Sequence, residues 1–84
     1  KATRMKISLS KQAAKYYEKA PANIQDKFEK AFQSILEGEG DIKAMRGEPG
    51  FFRFRAGSFR IIFSVKADIV VIEKIGRRGD VYKK

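Results

Sequence analysis

The apolar positions in the first half of the chain predict a short strand followed by two helices. Residues 6–10 (KISLS) alternate polar and apolar side chains, as a half-buried strand does. Ser10 is a suitable N-cap for a helix over Lys11–Lys19. Pro21 fits the first turn of a second helix, and Gly38 fits its end. The second helix carries one apolar stripe at helical spacing: Ile24, Phe28, Ala31, Phe32, Ile35 and Leu36. The two helices therefore form a hairpin that must bury one face.

The second half of the chain predicts a loop and then three strands in quick succession. The loop is Glu39–Gly50, which is rich in glycine and contains a proline. The strands are Phe51–Arg55, Ser58–Lys66 and Ile69–Ile75. Two-residue turns separate them, and such turns join antiparallel neighbours. We therefore expect an α+β fold of order β-α-α-β-β-β, with an antiparallel sheet of about four strands and the helical hairpin on one face.

The length of the chain is that of a single domain. We expect this domain to span residues 1–84, with residues 1–4 as a disordered arm or a non-native extension ahead of Met5.

Alternation along the strands separates phenylalanines from arginines. In the strand Ser58–Lys66, the side chains of Phe59, Ile61, Phe63 and Val65 share one face, which we assign to the helices. Arg60 then lies on the opposite face, together with Arg53 and Arg55 of the preceding strand. No acidic residue occurs between positions 51 and 66. Three neighbouring guanidinium groups repel one another unless an anion lies between them, so this face is a candidate phosphate-binding site.

The charge of the whole chain supports that interpretation. Residues 1–50 contain ten Lys/Arg and seven Asp/Glu, a balance of +3, while residues 51–84 contain nine and three, a balance of +6, for a total of +9. A basic excess concentrated in one half favours nucleic acid or an acidic protein as the partner.

Composition also excludes several kinds of chemistry. The chain has no cysteine and no histidine, so disulfides, thiolate metal sites and the commonest general acid–base residue are absent. The absence of cysteine is compatible with a reducing cytosol, and we expect a cytoplasmic location. No apolar run approaches the roughly 20 residues that cross a membrane.

Three ordered segments resemble the RelE branch of the RelE/ParE superfamily of bacterial toxins. They are RGEPGFFRFR at 46–55, GSFRIIF at 57–63, and GRR at 76–78 followed by DVY at 80–82. In element order the resemblance covers nearly the whole chain. It implies a toxin of a type II toxin–antitoxin pair, neutralised by a separate acidic antitoxin.

The resemblance further implies a ribosome-dependent endoribonuclease that cuts messenger RNA in the ribosomal A site through attack of a 2′-OH, without a metal or other cofactor. Arg60 would bind the scissile phosphate, Arg78 would assist the transition state or the departing 5′-oxygen, and Tyr82 would stack on or orient a nucleotide. Further contacts to the RNA backbone would come from Arg53, Arg55 and Arg77.

The identity of a general base and two alternative functions remain open at this point. Arginine holds its proton too tightly to act as an ordinary base. Glu48 and Glu73 are the acids near the motifs, and a loop turn or a strand ion pair is the ordinary use of each. One alternative is the ParE branch, which implies inhibition of DNA gyrase by binding. The other is an RNA-binding domain without catalytic activity.

Overall fold

A computed structural model describes residues 6–77 of the chain. Its elements are strand β1 (Lys6–Leu9), helices α1 (Lys11–Lys19) and α2 (Ala22–Glu37), and strands β2 (Ile42–Ala44), β3 (Phe51–Ala56), β4 (Phe59–Lys66) and β5 (Ile69–Arg77). The strands form one sheet in the order β1-β5-β4-β3-β2. The predicted α+β class, with two helices beside a sheet, is confirmed. None of the helices in the described range is long and apolar enough to cross a membrane.

Helix α1 and the end of α2 lie where the local sequence predicts, whereas Pro21, expected in the first turn of α2, is its N-cap, one residue before the helix. Ser10 caps α1, and its Oγ accepts a hydrogen bond from the backbone N–H of Ala13 at 3.1 Å. Helix α2 ends at Gly38, whose φ of 71° is in the left-handed region that glycine adopts without a steric penalty. The hydroxyl of Tyr17 donates a hydrogen bond to Glu29 and so links the two helices. This bond raises the pKa of Tyr17 above its usual value of 10.0.

The sheet differs from the prediction in one strand and in one direction. Strand β2 lies inside the predicted loop, pairs antiparallel with β3, and is only three residues long, which is too short for alternation to reveal. Strand β1 pairs parallel with β5. The helical hairpin carries the chain from β1 back across the sheet before the antiparallel strands begin, and turn chemistry between consecutive strands cannot report such a distant pairing.

The hydrophobic core lies between the helical hairpin and one face of the sheet. Phe28 of α2 and Phe59 of β4 meet edge to face, with ring centroids 5.1 Å apart. The side chains of Phe28, Ile61, Val70, Ile72 and Ile75 are almost completely buried. Val65, which the alternation also assigns to this face, lies one residue from the end of β4 and is 43% exposed.

A β-bulge in β5 determines which of its side chains face the helices. Ile62 of β4 pairs with Lys74, but Phe63 pairs with Ile72, so Glu73 is the additional residue. Beyond the bulge, Ile75 pairs with Ile61 on the core side and Gly76 pairs with Arg60 on the other side. Without the bulge, simple alternation would turn Lys74 into the core.

Candidate nucleic-acid interface

Arg60 is a buried arginine on the sheet face opposite the helices. Only 5% of the residue is exposed, and its Nε has no hydrogen-bond partner among residues 6–77. Ile62 and Ser64, the next two residues of β4 on the same face, are also buried. Burying a guanidinium N–H without a partner costs free energy, so the arrangement is unfavourable until an acceptor arrives. An anion is the acceptor that best suits a positive charge.

The pairing of β4 leaves Arg60 with one cationic neighbour and one that has no side chain. Arg55 of β3 lies directly opposite Arg60 on one side, and Gly76 of β5 lies opposite it on the other. Like charges directly across a strand pair destabilise the sheet. Arg55 is half-exposed, and its Nε lies 3.5 Å from Asp41 Oδ2. The carboxylate of Asp41 therefore compensates Arg55, whereas Arg60 has no ion pair among residues 6–77.

The cationic face extends across β3 to the edge strand β2. Arg53 pairs with Ile62 of β4 on one side and with Lys43 of β2 on the other. Lys43, Arg46 and Arg53 line a cleft of about 500 Å³. Lys43 and Arg46 were not among the predicted site residues, because the sequence does not reveal β2. The motif RGEPG, which begins with Arg46, was the available signal.

Arg77 lies on the other side of the sheet. It pairs with Phe59, and its guanidinium carbon is 5.6 Å from the centroid of that ring. Together with Tyr16, Lys19 and Ile24 it borders a groove of about 340 Å³ beside the turn between the helices. The bulge produces this orientation, so the structure brings Arg53, Arg55 and Arg60 together and separates Arg77 from them.

The acidic side chain of Glu73 lies on the face that carries Arg60. The carboxylate of Glu73 accepts a hydrogen bond from the hydroxyl of the buried Ser64, with 2.8 Å between Ser64 Oγ and Glu73 Oε2. The backbone oxygen of Glu73 accepts a second bond from Ser10 Oγ at 2.7 Å. Within residues 6–77 no group of three or more acidic side chains comes together that could hold a metal ion.

The sequence profile of the family described as "ParE toxin of type II toxin-antitoxin system, parDE" matches residues 7–82. The chain belongs to this toxin family. The toxin is also 30% identical, over 84 aligned positions, to a protein from Methanocaldococcus jannaschii assigned as toxin RelE1, and the alignment covers 92% of the toxin and 93% of that relative. The predicted membership in the RelE/ParE superfamily is therefore confirmed.

Solved structures have the same fold as the toxin. The archaeal RelE–RelB complex from Pyrococcus horikoshii OT3 matches with a TM-score of 0.72 and 27% identity, over 89% of the toxin and 96% of that chain. The RelB–RelE antitoxin–toxin complex from Methanococcus jannaschii matches with a TM-score of 0.72 and 20% identity, over 89% and 94%. In both structures the similar chain is part of a complex that contains RelB.

The predicted catalytic set is only partly within the described range of the toxin. Arg60 is described, but Arg78 and Tyr82 lie outside residues 6–77. The roles assigned to these residues by resemblance therefore stay predictions. The same is true of backbone contacts by Arg53, Arg55 and Arg77, although the position of Arg77 favours the first two.

Proposed function

We propose that the toxin is an endoribonuclease that cuts messenger RNA in the ribosomal A site and thereby stops translation. The observation that carries the proposal is Arg60, a buried arginine whose cross-strand neighbour is Arg55 and whose Nε has no partner in the described part of the chain. A site in which the fold leaves a buried cationic donor without an acceptor is preorganised for an anion. In RNA, that anion is the phosphodiester.

The chemistry assigns a distinct task to each group. The 2′-oxygen attacks phosphorus and loses its proton, the bond from phosphorus to the 5′-oxygen breaks, and the departing oxygen gains a proton. Arg60 donates hydrogen bonds to the phosphate oxygens as negative charge accumulates on them. Arg78 supports the departing oxygen and Tyr82 orients a nucleotide by stacking. No metal or other cofactor takes part in the proposed reaction.

We expect the reaction to depend on the ribosome, because arginine and tyrosine side chains are poor at transferring protons at neutral pH. Arginine retains its proton at neutral pH, and an unperturbed tyrosine with a pKa of about 10 transfers protons slowly. Positioning of reacting groups supplies several kcal/mol in favourable cases. A message already held in the A site has part of this positioning before the toxin binds. Free RNA should therefore be cut much more slowly than ribosome-bound RNA.

Primer extension in a reconstituted translation reaction tests the proposal. Wild-type toxin should cut the message only when ribosomes are present. Arg60→Ala should lower the rate by about 100-fold or more, the usual effect of removing a transition-state donor. Lys15→Ala, which removes an exposed cation from α1, is the matched control and should cut at the wild-type rate. Equal cutting by folded Arg60→Ala and wild-type toxin would reject the proposal, as would equal rates on free and ribosome-bound RNA.

Inhibition of DNA gyrase is the second candidate, because the matching family profile is described as ParE toxin. The fold is compatible with both activities. A gyrase cleavage-complex assay, run with the same variants, separates them. Gyrase complexes without RNA cleavage would favour this candidate, whereas salt-dependent RNA binding with neither activity would indicate a non-catalytic RNA-binding domain.

We also propose that an acidic antitoxin neutralises the toxin in the cytoplasm. The net charge of +9 favours such a partner. The complexes of similar chains with RelB support an antitoxin protein as the partner.

A further inference from the structure

Glu73 is an acidic residue on a sheet face whose charged strand residues are otherwise cationic. It is the sole acid in the sequences of β3, β4 and β5. Its carboxylate lies on the face of Arg60, because it accepts a hydrogen bond from Ser64, which follows Arg60 by four residues on the same strand. A carboxylate at this position repels phosphate. On a face proposed to bind phosphates, we therefore expect Glu73 to contact a different part of the ligand.

Glu73 is held in place by neutral partners instead of by a cation. Within residues 6–77 it forms no ion pair, although Lys74 is its neighbour in sequence. The hydroxyl of Ser64 donates a hydrogen bond to its carboxylate, and the hydroxyl of Ser10 donates one to its backbone oxygen. A bulge is a common means of directing a side chain near a functional site. The carboxylate is thus oriented, and it keeps lone pairs for further hydrogen bonds.

An aromatic ring lies on the other side of Ser64. Phe51 of β3 pairs directly with Ser64, so it shares the face of Arg60, and it is partly exposed. Unpaired RNA bases stack on such rings, and their hydrogen-bonding edges are then read by neighbouring polar groups. Four residues of strand separate Ser64 from Arg60, which is about 13 Å at the usual rise. That distance is within reach of a base near the phosphate bound at Arg60.

We infer that Glu73, Ser64 and Phe51 form a base-recognition subsite that prefers guanine, and this inference rests on the proposed RNA-directed function. Guanine presents two adjacent donors, N1–H and the N2 amino group, which match the two oxygens of a carboxylate. Adenine and cytosine present one amino group beside a ring nitrogen acceptor that the carboxylate repels. Uracil presents one N–H between two carbonyl oxygens. Stacking on Phe51 is possible for every base and adds affinity without selecting among them.

Equilibrium binding of fluorescein-labelled 2′-O-methyl hexanucleotides tests the subsite. The methyl group blocks the attacking oxygen, so the probes stay intact. The reference probe contains only adenine. In one series a single guanine is placed at each position in turn, and in a second series inosine, which lacks the N2 amino group, takes the place of that guanine. At one position wild-type toxin should bind guanine about tenfold more tightly than adenine, with inosine between them. Glu73→Gln should remove this preference, because an amide offers one acceptor instead of two.

Two further variants separate recognition from general effects on charge and folding. Glu18→Gln makes the same change in charge on α1 and should keep the preference for guanine. Phe51→Leu should weaken binding of all probes to a similar degree and leave the preference intact. Thermal unfolding of each variant shows whether it is folded. Wild-type toxin without base preference, or folded Glu73→Gln with an unchanged preference, would overturn the inference.

Codon-resolved cleavage distinguishes a failure of the subsite from a failure of the proposed function. If the toxin cuts messages, Glu73→Gln should still cut them, with cleavage spread more evenly over codons with and without guanine. Cleavage with an unchanged codon distribution would reject the subsite and leave the nuclease proposal standing. If the toxin cuts nothing, the nuclease proposal fails, and the binding series still decides whether Glu73 reads a base.

Discussion

Arg60 shows how one residue can be unfavourable for the fold and useful for the proposed reaction. Its buried Nε has no partner between residues 6 and 77, whereas the hydroxyl of the equally buried Ser64 donates to the carboxylate of Glu73. Both side chains lie on the same strand and the same face, and they differ in whether a neighbouring residue supplies a hydrogen-bond acceptor. The described part of the fold supplies an acceptor for the Ser64 hydroxyl and supplies none for the Nε of Arg60, the group proposed to bind the phosphate.

Replacement of Arg60 by methionine should stabilise the toxin and abolish its activity. Methionine has a similar length and no polar atom, so the variant removes the buried unpaired donor and the repulsion from Arg55. We expect the free energy of unfolding to rise by about 1 to 2 kcal/mol, within the cost of an unsatisfied buried polar group. Urea denaturation measures this change, and growth arrest on expression measures activity.

Arg55→Met provides the comparison for that measurement. Arg55 is on the same face but is half-exposed and lies near Asp41, so its replacement should change stability by less than about 0.5 kcal/mol. A loss of stability in Arg60→Met would show that Arg60 is a structural residue, and would contradict its assignment as an open anion site.

At the scale of elements, residues at the start of α1 continue the hydrogen bonding to β5 beyond the point where β1 ends. The backbone N–H of Ser10 donates to the oxygen of Ile72 at 2.9 Å, just after β1 ends. The amide of Gln12 then donates to the backbone oxygen of Ile75 and accepts from its N–H, both at 3.1 Å. A side chain thus forms the two hydrogen bonds that another strand residue would have formed. These bonds fix β5 immediately before Gly76.

Gln12→Ala should destabilise the toxin by about 1 to 3 kcal/mol, because it leaves two backbone groups of the buried Ile75 without partners. Gln33→Ala is the matched control. The amide of Gln33 bonds only the exposed Glu37 within the described range, so its loss should cost less than about 0.5 kcal/mol. Urea denaturation of both variants gives the two values. Equal losses would show that the amide of Gln12 has no special role in holding β5.

Elements with strong local signals were predictable, and pairings that depend on distant contacts were not. The start of α1 followed from Ser10, and the end of α2 followed from Gly38. Strand β2 was missed because three residues carry no pattern, and with it Lys43 was missed as a neighbour of Arg53. The bulge at Glu73 was also invisible, since it depends on hydrogen bonds from Ser10 and β4. The bulge places the side chain of Arg77 on the face of the sheet that packs against the helices. Motif and spacing alone would place Arg77 on the same face as Arg60.

For the whole molecule, the two faces of the sheet have different roles, one in stability and the other in carrying charge. One face packs against the helices and supplies the core. The other carries seven cations, with at least one from each of the five strands: Lys6, Lys43, Arg53, Arg55, Arg60, Lys66 and Lys74. Concentrating these charges on one side opposes folding through mutual repulsion, and a polyanion removes that repulsion when it binds. Binding of RNA should therefore release counterions and depend strongly on salt.

The salt dependence of binding to an uncleavable 2′-O-methyl hexanucleotide measures how many phosphates this face contacts. Each contact with a single strand contributes about −0.7 to the slope of log K against log salt, so four contacts predict a slope of about −3. Arg60→Met should reduce the magnitude of the slope by about 0.7, because one contact is lost. Lys15→Met removes an equal charge from the exposed side of α1 and should lower affinity slightly at low salt without changing the slope. If both variants flatten the slope equally, the toxin attracts RNA through its net charge, and the face around Arg60 is not the site where the phosphates bind.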